Sequence, residues 1–227
     1  MRKEDLAGKV RTAAVRAGAD QPERVISDLC SYLLLLWKWN KKINLTKLDD
    51  SISGLDRLVV EPLTVAKEEM RRKPSYKVID IGSGGGSPAI PMNLANRESS
   101  LVMVEKKEKK GIFLREVIRV LGLENVSVTT AHYQDLVVES GFQKQFDLLT
   151  VRGVRVDRKA LLTLKLFLKD GGRLLVFGSM EKMGNEELRE SGFSSVEIKN
   201  FVVGQVETTV FTCSEKKANL IFTKSVK

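Results

Sequence analysis

Residues 80–86, Asp80-Ile81-Gly82-Ser83-Gly84-Gly85-Gly86, follow the apolar run Tyr76-Lys77-Val78-Ile79 and lead into the helix-like stretch Ile90-Pro91-Met92-Asn93-Leu94-Ala95. That order predicts a buried strand, a sharp turn and a helix start. Glycine adopts positive φ readily and has no Cβ, so such a turn can lie against a ligand, with unpaired helix N-terminal amides facing the space above it. A second apolar run, Leu101-Val102-Met103-Val104, stops at Glu105. This is about twenty residues on, where a nucleotide-binding α/β unit places the acid that accepts ribose hydroxyls. Turn and acid together predict an adenosine site.

The surrounding pattern alternates strand and helix. Strands are expected near 77–81, 101–105, 126–130, 146–151, 173–178, 195–203 and either 207–213 or 219–224, with helices near 89–97, 109–121, 157–169 and 184–191. Right-handed helical crossovers then give a mostly parallel, doubly wound sheet with its ligand outside the carboxyl ends of the strands. The last two strands lack an intervening helix and are expected to form an antiparallel edge hairpin. Upstream, Val25, Ile26, Leu29, Leu33, Leu36 and Trp37 recur at helical spacing over 22–40, and a further helix-like stretch runs over 55–69. The reading is an N-terminal helical extension, 1–74, packed on a core domain, 75–227.

Composition limits the alternatives. A chain of 227 residues suits one enzyme domain with an appendage. No run approaches the roughly 18 apolar residues that span a bilayer, and Cys30 and Cys213 are too few for a disulfide framework or a zinc site. A cytoplasmic monomer without metal or membrane partner is expected. The formal net charge of +9 points to an anionic partner. Basic residues cluster at 71–73, at 106–110 with Arg115 and Arg119, and at Arg152, Arg155, Arg158 and Lys159, the last two groups just after expected strand ends.

The D-x-G-x-G-x-G form of the turn resembles motif I of the S-adenosylmethionine (SAM) methyltransferases. Further segments are more specific: Trp39-Asn40-Lys41-Lys42-Ile43-Asn44-Leu45-Thr46, then Ser87-Pro88 with Ile90-Pro91, Glu105 with Lys109-Lys110 and Phe113-Leu114, Leu123-Glu124-Asn125-Val126, and Arg152. Over roughly residues 25 to 180 the chain resembles the bacterial ribosomal RNA small-subunit methyltransferase G family, also called glucose-inhibited division protein B. The resemblance implies a Rossmann-like SAM-dependent methyltransferase fold, SAM as cofactor, guanine N7 of 16S ribosomal RNA as acceptor, and ribosomal RNA or the small subunit as partner. It implies cofactor contacts from Asp80, Gly82, Ser83, Gly84, Gly86, Ser87, Glu105 (ribose), Tyr133 and Gln134 (adenine) and Arg152, and RNA contacts from Asn40, Asn44, Lys109, Lys110 and Arg155. The chain departs from the family pattern at Leu58-Val59-Val60-Glu61-Pro62, Ala89, His132-Tyr133-Gln134 and Phe177-Gly178. A small-molecule or protein acceptor, or a non-catalytic RNA-binding protein retaining the fold, are the alternatives those departures raise.

The implied chemistry needs no general base, because guanine N7 carries an in-plane lone pair. Catalysis then rests mainly on alignment, which can supply roughly 7–11 kcal/mol. A lone histidine, His132, reads as a surface or packing residue. Arg152 is the candidate catalytic residue: it binds the methionine carboxylate, orients the guanine, or holds a loop through a carboxylate pair. Asn40 and Asn44 either meet substrate or cap the preceding helix. Trp37 fits the apolar stripe, whereas Trp39 is free to pack or to stack on a base.

Overall fold

Five strands pair in parallel, β1 (Lys77–Ile81), β2 (Ser100–Val104), β3 (Val126–Thr129), β4 (Phe146–Arg152) and β5 (Leu168–Phe177), and β6 (Phe193–Phe201) and β7 (Val206–Cys213) extend them antiparallel in the order β3-β2-β1-β4-β5-β7-β6. The computed structural model describes residues 2–178, 191, 193–201 and 206–213. β1 is the pivot: Ile81 pairs with Val104 of β2 on one side and with Val151 of β4 on the other. Chain order reverses there, so the loops leaving β1 and β4 diverge and open a crevice at the carboxyl edge.

Strand alternation assigns the two faces. Ile79, Ile81, Leu149, Val151, Leu174 and Val176 pack with Leu161 and Leu164 of α8 (Arg158–Lys165) and Leu136 of α7 (Tyr133–Leu136). On the opposite face, Leu101, Met103 and Val126 join the apolar stripes of α5 (Ala89–Ala95) and α6 (Glu108–Leu121). The same cluster takes in Ile26, Leu29, Leu33 and Leu36 of α2 (Glu23–Asn40) and Leu6, Val10 and Ala14 of α1 (Lys3–Arg16). The N-terminal helices therefore share one core with the sheet. Each such leucine or isoleucine, fully buried, contributes about 1.5–3 kcal/mol. Trp39 settles its own role by packing on Phe113 of α6, centroids 5.7 Å apart.

The expected elements meet two corrections within the described residues. The helix expected over 157–169 ends at Lys165, because the carbonyls of Leu166 and Phe167 accept hydrogen bonds from Lys144, Gln145 and Phe146 and Leu168 enters β5 opposite Phe146. The stretch expected as one helix over 55–69 is α3 (Ile52–Leu55), a π-helical turn Asp56–Val60 and α4 (Glu61–Arg72). Ser51 caps its start by accepting from the Gly54 amide at 3.1 Å. The expected helix over 184–191 falls almost wholly, and the alternative strand over 219–224 wholly, outside the described residues. None of the described helices is long and apolar enough to cross a membrane.

Candidate functional site

The glycine turn between β1 and α5 curls over the end of β2. Gly82, Gly84 and Gly86 all have positive φ, +73°, +51° and +89°, a region that side chains other than glycine enter only with strain. The Gly82 and Ser83 amides donate to Val104 O at 2.8 and 3.1 Å, and the Gly86 amide donates to Ser83 O at 2.6 Å. The Gly84 amide donates to Glu105 Oε2 at 2.9 Å, while Glu105 Oε1 accepts from the Lys107 amide at 2.9 Å. Four of the turn's own N–H groups, at 82, 83, 84 and 86, are thus engaged within the protein. The turn offers a ligand bare backbone and a carboxylate fixed beside it. Each Glu105 oxygen keeps a further lone pair for an outside donor.

Turn and carboxylate form one side of a cavity of about 780 Å³. Among the predicted site residues, Gly82, Ser83, Gly84, Ser87, Glu105, Lys110, Tyr133, Arg152 and Arg155 line it. The facing wall comes from the N-terminal segment: Leu36, Leu45, Thr46, Lys47, Leu48, Arg57 and Leu58. A Cβ placed on Gly85 would stand 3.0 Å from Leu36 Cδ1 and 3.5 Å from Leu45 O, so that wall rests directly on the turn. Ser87 Oγ donates to Leu58 O at 2.8 Å and fastens it again.

Six predicted residues stand off the cavity. Asp80 is 1% exposed beneath the turn, accepting from Thr150 Oγ1 at 2.5 Å while its Oδ2 has no hydrogen-bond partner. Burial pushes its carboxyl up to about 6, against the lowering effect of the Thr150 and Ser83 hydrogen bonds. Gly86 is a packing glycine: a Cβ there would lie 2.9 Å from Ile90 Cγ1. Gln134 points into the open and pairs with His132 Nδ1 at 2.9 Å. Asn40 closes α2 and shapes the loop after it, accepting from the Leu45 and Thr46 amides at 2.8 and 3.0 Å and donating to Thr46 O at 2.9 Å. Its amide is used structurally. Asn44 and Lys109 are exposed outside the cavity lining. The basic cluster 71–73 lies at the far end of the molecule, since α4 delivers it to the start of β1 and Lys73 pairs with Asp147 there at 3.0 Å.

Arg152, at the end of β4, bridges the two halves of the chain. Its guanidinium meets Glu61 Oε2 at 2.6 Å, donates to the Arg57 carbonyl and lies 5.0 Å over the Phe177 ring. Burial pulls the Arg152 pKa down, opposed chiefly by Glu61. Of the three roles left open by the sequence, holding a neighbouring segment through a carboxylate is the one this geometry displays.

Residues that sequence reasoning missed are Lys47 and Arg57. Both are exposed at the cavity, and with Lys106, Lys107, Lys110 and Arg155 they make a cationic rim. Lys47 directly follows the Asn44-Leu45-Thr46 run, a usable signal; Arg57 carries none. Glu105 is the sole acidic side chain among the described cavity-lining residues, and both of its oxygens are already held by amides.

Comparison with known proteins gives one consistent answer. The profile of the family described as rRNA small subunit methyltransferase G (GidB) matches residues 25–219. A ribosomal RNA small subunit methyltransferase G from Dictyoglomus thermophilum is 33% identical over 144 residues, 63% of this chain and 60% of that protein. One from Leuconostoc citreum is 33% identical over 162 residues, 70% of this chain and 67% of that protein. Matching thus spans 60% and 67% of the length of these two relatives. Among solved structures, the CurJ carbon methyltransferase superposes with a TM-score of 0.60 at 14% identity, covering 94% of this chain and 70% of that one. The CMeT domain of the citrinin polyketide synthase gives 0.55 at 11%, covering 86% and 67%. The sheet is that of the Rossmann-like methyltransferases.

Proposed function

Because the chain belongs to the rRNA small subunit methyltransferase G family, we propose that it transfers a methyl group from SAM to guanine N7 of 16S ribosomal RNA. The observation that carries the reading is the Gly84–Glu105 contact, which joins the loops after β1 and β2 in the cavity wall. A side-chain-free turn and an acceptor held in fixed orientation suit an adenosyl group, and a cavity of about 780 Å³ is large enough for one. Bound SAM would supply an electrophilic methyl on a sulfonium.

The roles of the protein's own groups follow from their chemistry. Glu105 accepts the ribose hydroxyls through its remaining lone pairs. Gly82, Ser83 and Gly84 allow close approach of the methionine portion, and Tyr133 supplies an apolar face for the adenine ring. Arg152 holds α4 against the end of β4 and so maintains the cavity wall. Methylation at N7 would take no proton from the acceptor, because SAM, when bound, would supply the methyl with its positive charge and keep the C–S electron pair as a thioether. A cavity in which the one carboxylate among the described lining residues is already engaged suits a reaction that needs no general base. The reading treats 1–74 as a helical extension that walls the site and 75–227 as the methyltransferase domain, acting as a cytoplasmic monomer on ribosomal RNA.

Incubation with methyl-labelled SAM and unmethylated small-subunit RNA or particles tests the proposal. Label should appear at a guanine N7, recognised by its cationic imidazole ring, which hydroxide opens at C8. Transfer to no RNA, or indifference of any methyl transfer to added RNA, would overturn it.

A further inference from the structure

Gly84, Gly85 and Gly86 are three consecutive residues without side chains, so the cavity wall contains a stretch of backbone with little local resistance to peptide rotation. The peptide joining Gly85 to Gly86 is nevertheless held at both ends. Its N–H donates to Ser83 O at 2.6 Å, and its carbonyl accepts from the Tyr32 hydroxyl at 2.7 Å. Tyr32 sits on α2, outside the sheet, and is 0% exposed. Its Cε2 lies 3.5 Å from the place a Gly86 Cβ would occupy, so the ring packs under the same peptide that its hydroxyl grips. Burial drives the phenol pKa far up, so the group stays a neutral donor over the working pH range.

We propose that Tyr32 is a positioning residue: its hydroxyl fixes the Gly85–Gly86 peptide in the orientation that shapes the SAM cavity, and thereby sets SAM affinity from the N-terminal helical segment. The inference rests on the SAM reading above. Without the hydroxyl, the Gly85 carbonyl loses its partner on the side packed against α2 and gains reason to turn toward the cavity it borders. A turn that samples other orientations binds more weakly in proportion to the fraction that remains competent.

The test compares the full-length protein with Tyr32→Phe, which keeps the ring and deletes one oxygen. SAM affinity by calorimetry should fall roughly fivefold, as expected for one partly buried hydrogen bond. The KM for SAM should rise while kcat at saturating SAM is retained. In the ligand-free protein, hydrogen exchange should quicken at the amides of 84–87 and stay unchanged in β4. Leu33→Ala, buried on the same helix with a side chain that has no hydrogen-bonding group, should lower stability yet leave SAM affinity at the wild-type value. Equal affinity and equal exchange in Tyr32→Phe would overturn the proposal. So would loss of affinity in Leu33→Ala matching that in Tyr32→Phe, which would reduce the effect to general stability. Should Tyr32→Phe not fold, the wild-type protein still decides: a slowly exchanging Tyr32 hydroxyl proton close to Gly85 in NMR supports the contact, and its absence overturns it. Failure of the wild type to bind SAM would overturn the function proposed above, whereas the ligand-free exchange comparison reads the Tyr32 contact independently.

Discussion

At the scale of single residues, the buried carboxyl of Asp80 and the bare backbone of Gly84 make separate predictions. Asp80 has a folded pKa of about 6 against an ordinary 3.8, so between those values the native state holds more protons than the unfolded chain. Stability therefore falls as pH rises through that window, by on the order of 3 kcal/mol in total. Asp80→Asn cannot ionise. Its melting temperature, followed from pH 4 to pH 7, should lack the decline that the wild type shows. Gly84→Val inserts a branched side chain beside Leu45 O and Lys110 Nζ, whose distances from a Cβ there are 3.8 and 3.9 Å. It should weaken SAM binding at least about 100-fold, and its positive φ should cost about 1–2 kcal/mol of stability; calorimetry and denaturant unfolding measure the two. Glu105 was legible from spacing alone, because a strand tip about twenty residues after the turn is a position set by the fold. For Asn40 the sequence left helix closure and substrate contact equally open, and its bonds to the Leu45 and Thr46 amides, like the Gln134–His132 pair, are choices of local geometry that residue type does not announce.

At the scale of elements, the junction between α4 and β4 depends on the Glu61–Arg152 pair. Their side chains are 3% and 14% exposed, so removing one leaves a buried charge without its partner. Glu61→Leu should destabilise the protein by about 3–5 kcal/mol. The double variant Glu61→Leu/Arg152→Met should recover most of that loss, as read by urea unfolding in a double-mutant cycle. The strongly periodic elements, α2, α6 and the central strands, were readable because their apolar residues recur at one period over many positions. α1 was not, because its buried face is made of Leu6, Val10, Ala13 and Ala14, and alanines contribute little contrast to a periodicity. The end of α8 was equally hidden: the carbonyls that would continue it bond instead to 144–146, residues distant in sequence.

For the whole molecule, the cationic rim is the feature with the widest consequence. Lys47 and Arg57 come from the N-terminal segment, Lys106, Lys107 and Lys110 from beyond β2 and Arg155 from beyond β4, so RNA held there would touch both halves of the chain. Changing Lys47 and Arg57 to Glu should weaken RNA binding and reduce the slope of log K against log salt by roughly 0.7–0.9 for each phosphate contact removed. SAM affinity should be spared. Filter binding across a salt series measures it, and an unchanged slope would take these two residues out of the RNA surface. The sheet's strand–turn–helix rhythm, the glycine turn and its acid could be read from the residues alone, since these are fixed by local stereochemistry and by spacing along one βαβ unit. That Lys47 and Arg57 reach the cavity, that Arg152 pairs with Glu61 and that Tyr32 grips the turn could be seen only in the folded chain, because the last two join groups 91 and 53 residues apart and all three depend on how the N-terminal segment packs against the sheet.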